Sequence, residues 1–139
     1  MNDNNNNSTP PRPQGHGEES RRKAIDEMLA RDVEELISRE GDGEYEWRDT
    51  KSALVEACHL AWLTGRITDA TGRKLGFGRI VAMACRRLGL CAPRNPSAVV
   101  RQARMRKDVR LGSLRARYEL LMGQGVPDPF RLNVRLRRR

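Results

Sequence analysis

Aromatic residues are scarce in this sequence: two Trp, two Tyr and two Phe in 139 residues. A chain of this length buries one modest core, and that core must be built from Leu, Ile, Val, Ala and Met. So few rings also argue against a stacking platform for unpaired bases. Histidine is rarer still, with His16 in a polar N-terminal stretch and His59 beside Cys58. Adjacent residues on a helix diverge by about 100°, so His59 and Cys58 do not make a ligand pair. Cys58, Cys85 and Cys91 lack zinc spacing and are odd in number, and buried free thiols are expected. No cofactor and no metal is implied, and no nucleophile–base–acid set stands out. The run TGRKLGFG lacks the lysine placement of a phosphate loop. A non-enzymatic protein is therefore expected.

Long apolar runs are absent too. No stretch approaches the ~20 apolar residues of a membrane span, and MNDNNNNSTPPRPQGHG has no signal-peptide core. The expected location is cytoplasmic and nucleoid-associated, with no membrane partner and no small-molecule substrate evident.

What is abundant is positive charge, and it is segregated. The formal net charge is +9. Residues 1–19 and 20–44 are both net negative, so residues 45–139 carry all of the excess. Between Arg73 and Arg117 the only acid is Asp108. Such a distribution repels itself, and a polyanion relieves that repulsion.

Four segments are expected: a disordered tail at 1–19, an amphipathic helix and linker at 20–44, a helical DNA-binding domain at 45–123 and a basic C-terminal tail at 124–139. Residues 1–17 are polar and cannot offset the entropy of ordering. Ile25, Met28, Leu29, Val33, Leu36 and Ile37 then recur at helical spacing, predicting a helix at about 20–39 with Ser20 as cap. Its stripe packs on the following domain or pairs with the same helix of a second copy, forming a homodimer. A second helix, capped by Asp49 or Thr50, buries Leu54, Ala57, Cys58, Ala61 and Trp62 and stops at Gly65. After a turn-rich loop, a third at 75–88 buries Ile80, Val81, Ala84, Cys85 and Leu88 and exposes Arg79, Arg86 and Arg87, with Gly89 as its left-handed stop. Asn95 and Pro96 open a fourth that runs to about 107. A fifth, at 112–122, buries Leu114, Tyr118, Leu121 and Met122 and ends at Gly123. The last stretch alternates weakly through Phe130, Leu132, Val134 and Leu136.

The fold class is thus all-α: a small helical bundle containing a helix-turn-helix, with a short C-terminal wing or an extended tail. Helix three would support and helix four would read double-stranded DNA. Val99, Val100 and Ala103 form the inner face of helix four, leaving Ser97, Arg101, Gln102 and Arg104 as base-contacting candidates. Arg pairs bidentately with guanine, Gln with adenine, and Ser reaches base or phosphate. Arg86, Arg87, Arg94, Arg106, Lys107, Arg110, Arg115, Arg117, Arg135 and Arg137 are phosphate-contacting candidates, which position without specifying. The terminal arginines would form an arm on the duplex or a solubilising tail.

The run from Trp47 to Met122 resembles the C-terminal domain of RteC-like regulators, carried by conjugative transposons of Bacteroides and relatives. The segment WRDTKSALVEACHLAWLTGRI supplies Trp47, Thr50, Lys51, Leu54, Glu56 and Ala57 of its entry pattern, and VVRQARMRKDVRLGSL supplies Arg104, Arg106, Lys107 and Leu114. Val99 or Val100 stands where the family carries an aromatic residue, and the loop at 69–76 is longer. A tail and one helix take the place of the family's N-terminal helical domain. The resemblance implies DNA binding and a transcriptional role in excision or transfer of a mobile genetic element. Rival readings are an RNA-binding basic protein and a protein-interaction adaptor acting through residues 20–39.

Overall fold

The apolar stripe from Ile25 to Ile37 is the spine of the molecule. A computed structural model describes residues 13–105 and 113–137. All six apolar positions of the stripe are buried, and Ala30 with them. They lie on α1, Pro13–Ser38, which packs against four other helices. These are α2 (Lys51–Thr64), α3 (Phe77–Arg87), α5 (Leu114–Gly123) and α6 (Pro129–Leu132); α4 (Pro96–Arg104) rests mainly on α2. The architecture is a small all-α bundle with one two-stranded sheet, β1 (Tyr45–Trp47) against β2 (Val134–Leu136). No helix among the described residues is long and apolar enough to cross a membrane.

Because the stripe is buried within its own domain, pairing of two copies through residues 20–39 would require α1 to leave the core. The helix also begins earlier than its stripe, so Ser20 is an exposed interior residue and not a cap. Once a helix is nucleated, each upstream residue adds a hydrogen bond at little further cost, and Pro13 suits a first turn.

Local signals set most other boundaries. Thr50 Oγ1 accepts from the Ala53 amide at 3.1 Å, and Gly65, with φ of 69°, closes α2. Asn95 Oδ1 accepts from the Ala98 amide at 3.1 Å, with Pro96 in the first turn of α4. Gly89 is left-handed, with φ of 68°; its amide donates to Arg86 and that of Leu90 to Cys85, a Schellman closure of α3. Helix α5 ends at Gly123, as expected, and closes in the same way through Gly125 just beyond it. The 66–76 loop is a small hairpin: the Leu75 amide donates to the Ile67 carbonyl, and Asp69 Oδ1 accepts from the amides of Thr71 and Arg73. Trp62, expected in the buried stripe of α2, is 39% exposed. Cys91 is also exposed, whereas Cys58 and Cys85 are buried.

Residues 124–137 are not a tail. Asp128 caps α6, Phe130 enters the core beside Trp47 with ring centroids 5.3 Å apart, and β2 pairs antiparallel with β1, Trp47 opposite Val134. The partner strand lies far upstream, so the short alternation of 130–136 carries no local sign of its pairing. Phe130→Ala is expected to cost about 3–5 kcal/mol, the range for deleting a buried aromatic ring. The check is the urea midpoint of the variant; an unchanged midpoint would mean that this segment does not contribute to the fold.

Where α6 meets α1, the Asp32 carboxyl is buried beside Asp128, with Arg31 Nε and Arg131 Nε each 3.5 Å from Oδ1. Burial, then the Asp128 carboxyl, push its pKa up to about 7 against the pull of both guanidinium groups. A carboxyl that holds its proton more tightly when folded stabilises the fold fully below its unfolded pKa, and that contribution is lost as pH rises to 7. Asp32→Asn should therefore flatten the fall in melting temperature between about pH 4 and 7. An unaltered pH profile would contradict it.

Candidate nucleic-acid interface

Arginines that look unopposed along the chain divide into two sets in space. In the first, distant acids supply the counter-charge. Arg115 grips Asp26 through Nε at 3.0 Å and Nη2 at 2.8 Å, and Arg117 Nη1 lies 3.0 Å from Asp49. Arg87 is paired with Asp42. Arg137 donates to the carbonyls of Gly43 at 3.1 Å and Leu88 at 3.5 Å, clamping β2 to the 41–44 turn and the end of α3. Arg87, Arg115, Arg117 and Arg137, all phosphate candidates from sequence, are fasteners of the fold. The scarcity of acids between Arg73 and Arg117 says nothing about acids delivered by α1 and by the turns on either side of β1.

In the second set no carboxylate lies within ion-pair distance among the described residues. Arg94, Arg101 and Arg135 are exposed and form no ion pair among the described residues. Arg73, Lys74 and Arg79 share that condition, although sequence reasoning did not select them. Arg79 stands near enough to Asp69 to help hold that carboxyl below its usual range, a shift caused first by the Thr71 hydroxyl. Arg86 is intermediate, 72% exposed at its side chain with Nε 3.9 Å from Asp42. Arg106, Lys107 and Arg110 lie outside the described residues.

The four base-contacting candidates fall on α4, and all are exposed. Val100 and Ala103 are buried and Val99 is half-buried, as the inner face requires. Ser97, Arg101 and Arg104 follow one line along the helix at i, i+4 and i+7, with Gln102 to one side. Arg104 is not free, since its Nη2 lies 3.2 Å from His59 Nδ1. Desolvation, then Arg104, hold the imidazole below its usual pKa. A guanidinium can only donate, so Nδ1 accepts and the ring proton sits on Nε2. His59 also meets Trp62 and Phe77, with ring centroids 5.6 and 5.1 Å away. The i, i+3 spacing of His59 and Trp62 on α2 was the available signal for this cluster. Its rings are tilted against one another, so they offer no flat face for a base.

The connection between α3 and α4 spans residues 88–95, longer than the three or four residues of a tight helix-turn-helix. No group of three or more His, Cys, Asp or Glu side chains suited to a metal occurs among the described residues.

Comparison with known protein families, curated proteins and solved structures finds no match. Any functional reading rests on the residues and their geometry.

The two sets of arginines should respond differently to truncation. Arg115→Ala and Arg117→Ala are each expected to cost about 1–3 kcal/mol, because each strands a half-buried carboxylate. Arg101→Ala should stay within about 0.5 kcal/mol of the parent. Thermal melts followed by circular dichroism check this, and equal losses in all three would erase the distinction.

Proposed function

We propose that this protein is a non-enzymatic DNA-binding regulator that engages duplex DNA with the surface formed by α3, α4 and the hairpin before them. One observation carries the reading. From Ala70 to Lys107 the sequence has no acidic residue, and within that stretch Arg73, Lys74, Arg79, Arg94 and Arg101 are exposed without an ion pair among the described residues. Elsewhere most arginines meet a carboxylate of the fold, with Arg22, Lys23 and Arg135 exposed and outside any ion pair among the described residues, so the largest group of uncompensated cations is gathered on one run of structure. A surface of that kind suits a phosphate backbone. Arg94, just before α4, and Arg101 on it are placed for backbone or base contact, with Ser97 and Gln102 beside them. The arrangement is a loose relative of the helix-turn-helix. The resemblance to RteC-like regulators supports a transcriptional role tied to excision or transfer of a mobile element.

The test is fluorescence anisotropy with duplex DNA, single-stranded DNA and structured RNA across a salt series. Duplex binding should dominate, and with three to five phosphate contacts log K should fall against log salt with a slope of about −3 to −5. Arg101→Ala should shift that slope by about one if it meets a phosphate. Absence of duplex binding at ~50 mM salt would overturn the proposal, because nonspecific association alone should be visible there. Preference for single strands or RNA would move the assignment to those partners.

A further inference from the structure

The outer face of α3 has a composition that α4 lacks. Arg79, Ala82, Met83 and Arg86 occupy positions i, i+3, i+4 and i+7, so they form one line along the helix. Arg79, Ala82 and Arg86 are exposed and Met83 is half-buried. The opposite face, Ile80, Val81, Ala84 and Cys85, is buried in the core. Together Arg79, Ala82, Met83 and Arg86 line a shallow cleft of about 360 Å³. No acid lies on this helix, and Asp42 reaches Arg86 only at 3.9 Å. Resting on the reading of the protein as a duplex-DNA binder, we infer that α3, not α4, is the helix that reads base edges, with Arg79 and Arg86 as guanine contacts on either side of an Ala82–Met83 apolar centre.

Three physical features lead there. A helix reads the major groove only if its backbone can approach the base edges, and a central alanine permits that approach. The Ala82 methyl and the Met83 thioether chain are suited to the methyl group of thymine, and each arginine to O6 and N7 of guanine. Arg79 and Arg86 are seven residues apart, about 10 Å along the axis, matching the rise of about three base pairs. On α4, by contrast, the Arg104 guanidinium is engaged by His59, which leaves Arg101 as the one unengaged arginine of the helix. Arg94 precedes the helix, and with Arg101 it suits the flanking phosphates. The sequence chose α4 because more polar side chains crowd it; the small residues of α3 carry no such signal until their exposure is known.

The experiment selects bound sequences from a randomised duplex library with the full chain, then measures the enriched and a scrambled duplex against variants. The full chain should prefer the enriched duplex by tenfold or more. Ala82→Leu, at an exposed position that leaves the core intact, should hold the helix off the bases and reduce that preference below about threefold. Affinity for the scrambled duplex should stay within about twofold, and an unchanged melting curve confirms the fold. Arg79→Gln should relax one guanine position, where a bidentate contact is worth roughly 5- to 150-fold. If Ala82→Leu and Arg79→Gln retain the preference while Arg101→Gln or Gln102→Ala removes it, α4 is the reader and the inference fails. Duplex binding without any sequence preference also overturns it but leaves the proposed function standing. No duplex binding at all overturns both.

Discussion

Burial of one face of α1 is the constraint on which the other features depend. That helix is net acidic, and the stripe from Ile25 to Ile37 forces it into the centre of the bundle. Its carboxylates therefore project from a fixed axis toward particular neighbours: Asp26 to Arg115, Glu34 to Arg66, Asp32 and Glu35 to Arg131. Hydrophobic packing thus decides which of the many arginines are neutralised. Surface ion pairs contribute little individually, so they follow from this packing more than they cause it.

The same geometry leaves the hairpin, α3 and α4 with little compensation. Asp42 and Asp49, on the turns that flank β1, reach Arg87 and Arg117, and Asp42 reaches Arg86 only at 3.9 Å. The largest group of unpaired cations among the described residues lies on one run of chain, from Arg73 to Arg101, while Arg22, Lys23 and Arg135 are unpaired outside it. A uniformly basic surface would spread them across every element.

Much of the fold was legible because its signals are local. Thr50, Asn95, Gly65 and Gly89 act within one turn of where they stand, and the apolar spacing of α1, α2 and α3 is periodic. The misreadings of the arginines and of the C-terminal segment have one origin, in partners distant along the chain. Arg115 and Asp26 are separated by 89 residues, and Arg117 and Asp49 by 68. Phe130 finds Trp47, and β2 finds β1, across almost the whole domain. Read locally, such an arginine is an unpaired cation and such a strand is a tail. The exposed face of α4 was readable from its polar residues. That of α3 was readable at Arg79 and Arg86 but not at Ala82 and Met83, since alanine and methionine are equally at home in a core.

A polyanion that approaches this protein meets arginines of two kinds. To engage Arg115 or Arg117 it must first displace a carboxylate already held by charge-assisted hydrogen bonds at 2.8–3.0 Å, and it would leave that carboxylate half-buried and unpaired. The gain from a new phosphate contact is then offset by the loss of an old one. At Arg94 or Arg101 no such exchange is required. On the proposed reading, binding free energy would accordingly come from few residues in spite of the large formal charge, with the footprint set by the unpaired arginines. On the same reading, the carboxylates of α1 and of the turns flanking β1, by holding the other arginines, would leave a duplex the surface of α3 and α4.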